Sequence, residues 1–132
     1  VIADICDLPF QDNQYDLILC NHVLEHIPKD LEAMAELYRV LKKGGTLIAQ
    51  VPLSEDRPNT FQDDSITDSN ERSKVFGQYD HVRIYGRDFY HRLESVGFST
   101  ERIYLQRHLT KEEIRKYGLP KEEKIPVMRK QK

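Results

Sequence analysis

The sequence predicts an α/β fold, and three observations between Asp4 and Pro52 carry that expectation. Tyr15-Asp16-Leu17-Ile18-Leu19-Cys20 is a mostly apolar run, as in a strand of a parallel sheet covered on both faces. The segment from Pro28 to Lys42 repeats apolar residues at helical spacing. Gly45 then leads into Thr46-Leu47-Ile48-Ala49-Gln50-Val51, a second strand that Pro52 ends. A strand, helix and strand of these lengths favour a right-handed parallel crossover.

The 132 residues are one domain's worth, and 39% hydrophobic with 32% charged is ordinary for a globular chain with one core. A net charge of −2 gives no electrostatic reason to expect nucleic acid or an anionic membrane as partner. Cys6 and Cys20 fall in strand or strand-end segments, which predicts free buried thiols in a reducing compartment. No apolar run approaches the ~20 residues that cross a bilayer, and no signal-peptide pattern stands at the start. The cytoplasm is the expected location.

At the front, Val1, Ile2 and Ala3 are apolar and run into Asp4-Ile5-Cys6-Asp7, so the chain is expected to open inside or at the end of a strand whose preceding sequence is missing. Leu8-Pro9-Phe10 and Gln11-Asp12-Asn13-Gln14 make a turn, since Pro, Asp and Asn favour non-repetitive backbone. Pro28 suits the first turn of the helix, and Asp30 and Glu32 complement its positive end. Leu31, Met34, Ala35, Tyr38 and Leu41 define its apolar stripe, and Gly44 follows as the stop. Glu36 and Arg39, three apart, are suited to an ion pair within the helix or from helix to loop.

Between about residues 54 and 80 the sequence turns polar and reads as a long loop, insert or lid. Arg87 to Val96 is a second amphipathic helix that Gly97 stops, and Thr100 to Gln106 alternates as a strand does. Lys111 to Tyr117 is a short charged helix, and Lys124 to Met128 a last strand.

Asp4-Ile5-Cys6-Asp7-Leu8-Pro9-Phe10, Tyr15-Asp16-Leu17-Ile18, Val23-Leu24-Glu25-His26-Ile27 and Arg39-Val40-Leu41-Lys42-Lys43-Gly44-Gly45 together resemble the class I S-adenosylmethionine-dependent methyltransferases. The resemblance is close over about the first fifty residues and loose from Gly86 to Gln106. It implies a partial Rossmann-like sheet, mixed parallel with an antiparallel strand near the carboxyl end, forming one incomplete domain over residues 1–132. The opening strand would be the third of the family's sheet, the Tyr15 strand the fourth and the Thr46 strand the fifth. The family's first strands and its glycine-rich cofactor turn are absent, and no Gly-x-Gly occurs in the chain. The strand around Ile2 would then lack its usual neighbour, which predicts pairing with another chain, as a homodimer or by strand exchange, or else displacement or disorder.

The resemblance further implies that S-adenosylmethionine is the cofactor of the intact protein. Asp4 matches the position whose carboxylate accepts from the adenine amino group, with the N–H of Ile5 facing a ring nitrogen. A turn-forming Asp is the competing reading. Asn21 and His22 end the fourth strand, beside the transferring methyl group, where open α/β sheets bind ligands. His22 is the weak candidate for a general base, against a histidine that only shapes the pocket. His81, Arg83 and Tyr85 are the candidates for contact with a small-molecule acceptor, Arg83 suiting a carboxylate or phosphate. The alternative for Arg83 is an ion pair with the acidic insert.

No metal is expected. The His22/His26 spacing needs a helix to put both rings on one side, and Pro28 places the helix after them. The function implied is methyl transfer to an O, N or C nucleophile by the full-length parent, with this chain inactive alone. The other readings are a non-catalytic partner-binding module and a nicotinamide-dependent oxidoreductase.

Overall fold

The computed structural model describes residues 2–120 and 124–131. Its centre is a four-stranded sheet built from β1 (Tyr15–Leu19), β2 (Leu41–Ile48), β5 (Phe98–Tyr104) and β6 (Lys124–Lys130), in the order β1-β2-β6-β5. β1 and β2 are parallel, joined through α1 (Asp30–Val40), whereas β6 runs antiparallel to both β2 and β5. The expected mixed α/β sheet with an antiparallel strand near the carboxyl end is therefore present. A second, two-stranded antiparallel sheet pairs β3 (Phe61–Gln62) with β4 (Arg83–Ile84).

The core sits where α1 and α3 (Phe89–Ser95) meet the sheet. Met34, Leu37, Leu41, Leu47, Phe89, Leu93, Phe98 and Met128 are buried together there. The stripe of α1 differs from the one periodicity suggested. Ala33, Met34, Leu37 and Val40 face inward, while Leu31 and Ala35 are exposed. Asp30 lies on the same inward side, buried, with its carboxylate held by Arg92 and Tyr85.

The helix also stops sooner than expected. Leu41 is already extended and joins β2, and Gly44 takes its positive φ of 79° within the strand rather than as a helix stop.

Three other expectations change. Ile2 and Ala3 form no strand, and Ile2 is fully exposed; Asp4 to Asp7 is a tight turn closed by the Asp7 N–H on the Asp4 carbonyl at 3.1 Å. β1 itself is thus an edge strand of the sheet among the described residues. β1 is covered on one face only, since Leu17 and Leu19 are 55% and 64% exposed while Cys20 is buried. The polar segment after Ser54 is not one long loop: it contains β3 and a regular helix, α2 (Ser69–Phe76). Asp68 caps α2 by accepting from the N–H groups of Asn70 and Glu71, and Gly77 closes it at a φ of 89°. α4 (Lys111–Lys116), with a capping box at Thr110 and Glu113, completes the described elements. Cys6 and Cys20 are free thiols, and burial pushes Cys20 up to about 11.

Candidate functional site

Because β1 and β2 are parallel, their carboxyl ends open on the same side of the sheet. There the His22 N–H donates to the Gln50 carbonyl at 2.8 Å, and the Gln50 N–H donates to Asn21 Oδ1 at 3.1 Å. This double link holds the two strand ends together beyond the regular ladder. His22 stands in the left-handed region at a φ of 55°, an uncommon conformation for a non-glycine residue and one concentrated at functional sites. Beside it lies a crevice of about 510 Å³, lined by His22, Val51, Leu53, Glu55, Tyr90 and Lys124 among others. Glu55 and Lys124 pair at 2.7 Å across it, so the lysine holds the Glu55 carboxyl below its ordinary range. The Arg102 guanidinium lies 3.9 Å from the Tyr90 ring centre.

The turn at Asp4 is anchored along α1. Cys6 Sγ contacts the Lys29 carbonyl at the start of the helix, and the Asn13 N–H donates to the Arg39 carbonyl near its end. The intervening residues therefore run alongside α1 in the same direction. Arg39 fastens them: its guanidinium donates to the carbonyls of Leu8 and Phe10, to Asp12 and to both oxygens of Glu36, whose Oε2 also accepts from the Leu8 N–H. Glu36 and Arg39 are thus both an intrahelical pair and a helix-to-loop clamp. Asp4 Oδ1 accepts from the Cys6 N–H at 2.9 Å, so that oxygen serves the turn.

His81, Arg83 and Tyr85, expected at an acceptor, are instead turned into the protein. Arg83 is 1% exposed and its donors are committed to the carbonyls of Leu24, Ile27 and Pro28, to Gln62 and to the Tyr85 hydroxyl. Tyr85 is wholly buried and donates to Asp30 Oδ2 at 2.7 Å; burial first, and the Asp30 charge after it, push its hydroxyl well above the ordinary range. Arg92 completes the network, binding both Asp30 oxygens at 2.9 and 2.6 Å. Pairing of Arg83 with an acidic residue of the insert is not what forms; its partner there is the Gln62 amide. Desolvation explains the arrangement: a buried guanidinium is retained only with its N–H groups satisfied.

The residues around His22 and His26 hold an arrangement that spacing alone did not expose. A single 3₁₀ turn, Leu24–His26, follows His22, and Glu25 at its centre is 2% exposed. Glu25 Oε1 lies 3.4 Å from His22 Nδ1 and 3.8 Å from His26 Nε2. His26 Nδ1 faces Asp80 at 3.3 Å, and its ring meets that of His81 edge-on at 4.8 Å between centres. Two histidines thus reach one carboxylate without the regular helix that the spacing argument required. The third, His81, comes from 55 residues later in the chain, a separation no local pattern reveals.

Among known proteins, residues 1–49 match the family model described as a methyltransferase domain. An uncharacterized protein of Methanocaldococcus jannaschii is 49% identical over 51 residues, covering 39% of this chain and 22% of that protein. The demethylmenaquinone methyltransferase of Lactiplantibacillus plantarum is 39% identical over 51 residues, with the same coverages of 39% and 22%. The chain spans about a fifth of the length of these curated relatives. The 1,6-didemethyltoxoflavin-N1-methyltransferase of Burkholderia thailandensis, solved with S-adenosylhomocysteine bound, superimposes with a TM-score of 0.63 at 16% identity, over 100% of this chain and 50% of that one. With the sheet order, the crevice and the Asp4 turn in place, these likenesses assign the chain the class I methyltransferase fold.

Proposed function

We propose that this chain is the carboxyl-terminal part of an S-adenosylmethionine-dependent methyltransferase that acts on an O, N or C nucleophile of a small molecule. The observation that carries the reading is the link of Asn21 and His22 to Gln50 where β1 and β2 end, with His22 lining the crevice, and the anchoring of the Asp4 turn to the start of α1 supports it. On this reading Asp4 and the N–H of Ile5 hold the adenine edge, and Asn21 and His22 stand beside the reacting methyl group. The cofactor supplies a methyl already activated on a sulfonium, so the protein mainly aligns donor and acceptor and excludes water. His22, with a side chain 66% exposed, is open to an acceptor and serves as the weak candidate for proton removal. The crevice of about 510 Å³ suits a small acceptor, and the segment containing Glu55, which lines it, acts as its cover.

The reading also explains the bare edge of β1, which further strands of a longer protein cover. This chain alone is then inactive, because the glycine-rich turn that approaches the methionine part of the cofactor is not within it. Calorimetric titration of S-adenosylhomocysteine into this chain and into the longer protein tests the proposal. Binding by the longer protein alone is expected. Binding by neither overturns the cofactor assignment and leaves the fold as a partner-binding module.

A further inference from the structure

We propose that Glu25, His26 and His81 form a binding site for a divalent first-row transition-metal cation. One carboxylate oxygen and one nitrogen from each ring lie within 4.8 Å of one another. Ligand atoms in such sites stand ~2.1 Å from the ion and so roughly 3.4 Å from one another in a tetrahedron, and binding contracts the widest of these spacings by roughly 1.5 Å. Side-chain rotation of His26, which is 27% exposed, supplies much of that movement. Two imidazoles and a carboxylate suit zinc, manganese, iron or cobalt better than magnesium or calcium, and leave positions open for water or another oxygen.

The strongest pointer is the carboxylate. Glu25 is 2% exposed, and its Oε2 has no hydrogen-bond partner among the described residues. A buried carboxylate oxygen in that condition calls for a donor or a cation. Arg83 does not serve it, since its donors are bound to Gln62, to Tyr85 and to the carbonyls of Leu24, Ile27 and Pro28.

The surroundings have the organisation a metal site needs. Asp80 Oδ2, 3.3 Å from His26 Nδ1, faces that ring and leaves its Nε2 toward Glu25, the way an outer carboxylate orients a ligating histidine. The Val82 N–H donates to the Glu25 carbonyl at 3.0 Å, tying the segment that carries His81 to the turn that carries the other two ligands. His22 Nδ1, 3.4 Å from Glu25 Oε1, is available as a fourth ligand, and the same residue borders the crevice. The site and the crevice therefore share a wall. Its ligands all belong to this chain, so the inference stands or falls separately from the methyl-transfer reading.

Titration of Co²⁺ into the metal-free chain, followed by its visible d–d absorption with Zn²⁺ as competitor, is the test. One equivalent is expected to bind and to be displaced by Zn²⁺. Glu25→Gln and His81→Ala should each weaken it by at least ~10-fold. His91→Ala should not, because His91 is an exposed surface residue paired with Glu94. A second measurement needs no substitution: substoichiometric Mn²⁺ should broaden the ring resonances of His26 and His81 before those of His91 and His108. Absence of a stoichiometric Co²⁺ complex in the folded chain overturns the site. So does binding that survives both ligand substitutions, or broadening of all histidines alike.

Discussion

Asp30 shows how one side chain can set the geometry around it. Its charge is buried at 2% exposure and is met by the Tyr85 hydroxyl and by two bonds from Arg92, with Arg83 at 3.6 Å. Asp30→Asn removes the negative member of a buried group and leaves the guanidiniums uncompensated, so a loss of about 3 kcal/mol is expected in urea unfolding. Tyr85→Phe should cost about 1.5 kcal/mol, and the double variant less than the sum, because the two share a bond. None of this was readable in the sequence, where Asp30 looks like any acidic residue in a first helical turn; its partners lie 55 and 62 residues away. Arg39 was readable because its main partner Glu36 is three residues off on the same helix. That pair also fixes a pH dependence. The hydrogen bond from Arg39 holds the Glu36 carboxyl below its ordinary value of 4.5. Its stabilising contribution is therefore complete above that value and lost as the pH falls through the lowered one. Melting temperatures measured in steps below about pH 5 should fall less steeply in Glu36→Gln than in the parent chain, the difference isolating this group from other carboxyls. Parallel curves would deny the clamp an electrostatic role.

At the scale of elements, legibility followed burial. β2 and α3 announced themselves through apolar periodicity because each has a face in the core. α2 did not, since Phe76 is its one buried residue, and a helix with almost no apolar stripe gives a period-based reading nothing to register. Its signals were at its ends, in Asp68 and Gly77. Asp68→Ala removes the acceptor for two otherwise unpaired N–H groups and should weaken α2 by about 1 kcal/mol. Hydrogen exchange should localise the loss to residues 69–76, with the α1 amides unchanged. The junction of α3 and β5 depends on a different feature. Gly97 holds a φ of 112°, and a Cβ there would stand 2.9 Å from Tyr38 Cζ. Tyr38 cannot readily retreat, since its ring packs edge-on against Phe98 at 5.0 Å and lies under the Lys130 ammonium at 4.6 Å. Gly97→Ala should therefore cost more than the ~1 kcal/mol of an incompatible backbone alone, read as a lowered melting temperature.

For the molecule as a whole, the sheet has two edge strands, β1 and β5, each with a strand on one side only among the described residues. β5 has helix α3 packed against it, whereas β1 carries exposed apolar side chains. Leu17 and Leu19 project from that bare edge strand, and with Leu8, Phe10, Tyr15 and Val40 they border an apolar groove of about 300 Å³. The run Leu17-Ile18-Leu19 had already declared a strand meant to be covered on both faces. What the sequence could not show was which strand would be left open, because Ile2 and Ala3 form no strand. An uncovered edge and an apolar face in one place form a template for another strand. Isolated as these 132 residues, the chain should therefore self-associate as its concentration rises, seen by sedimentation velocity. Because the contact is apolar, raising the salt concentration should not dissolve it. Leu17→Lys with Leu19→Lys places two charges on the strand and should restore the monomer, while Leu31→Lys, on an exposed position of α1, should leave the association unchanged. A parent chain that stays monomeric throughout would mean that the β1 edge is guarded by the chain itself, and that the groove needs no further strand to cover it.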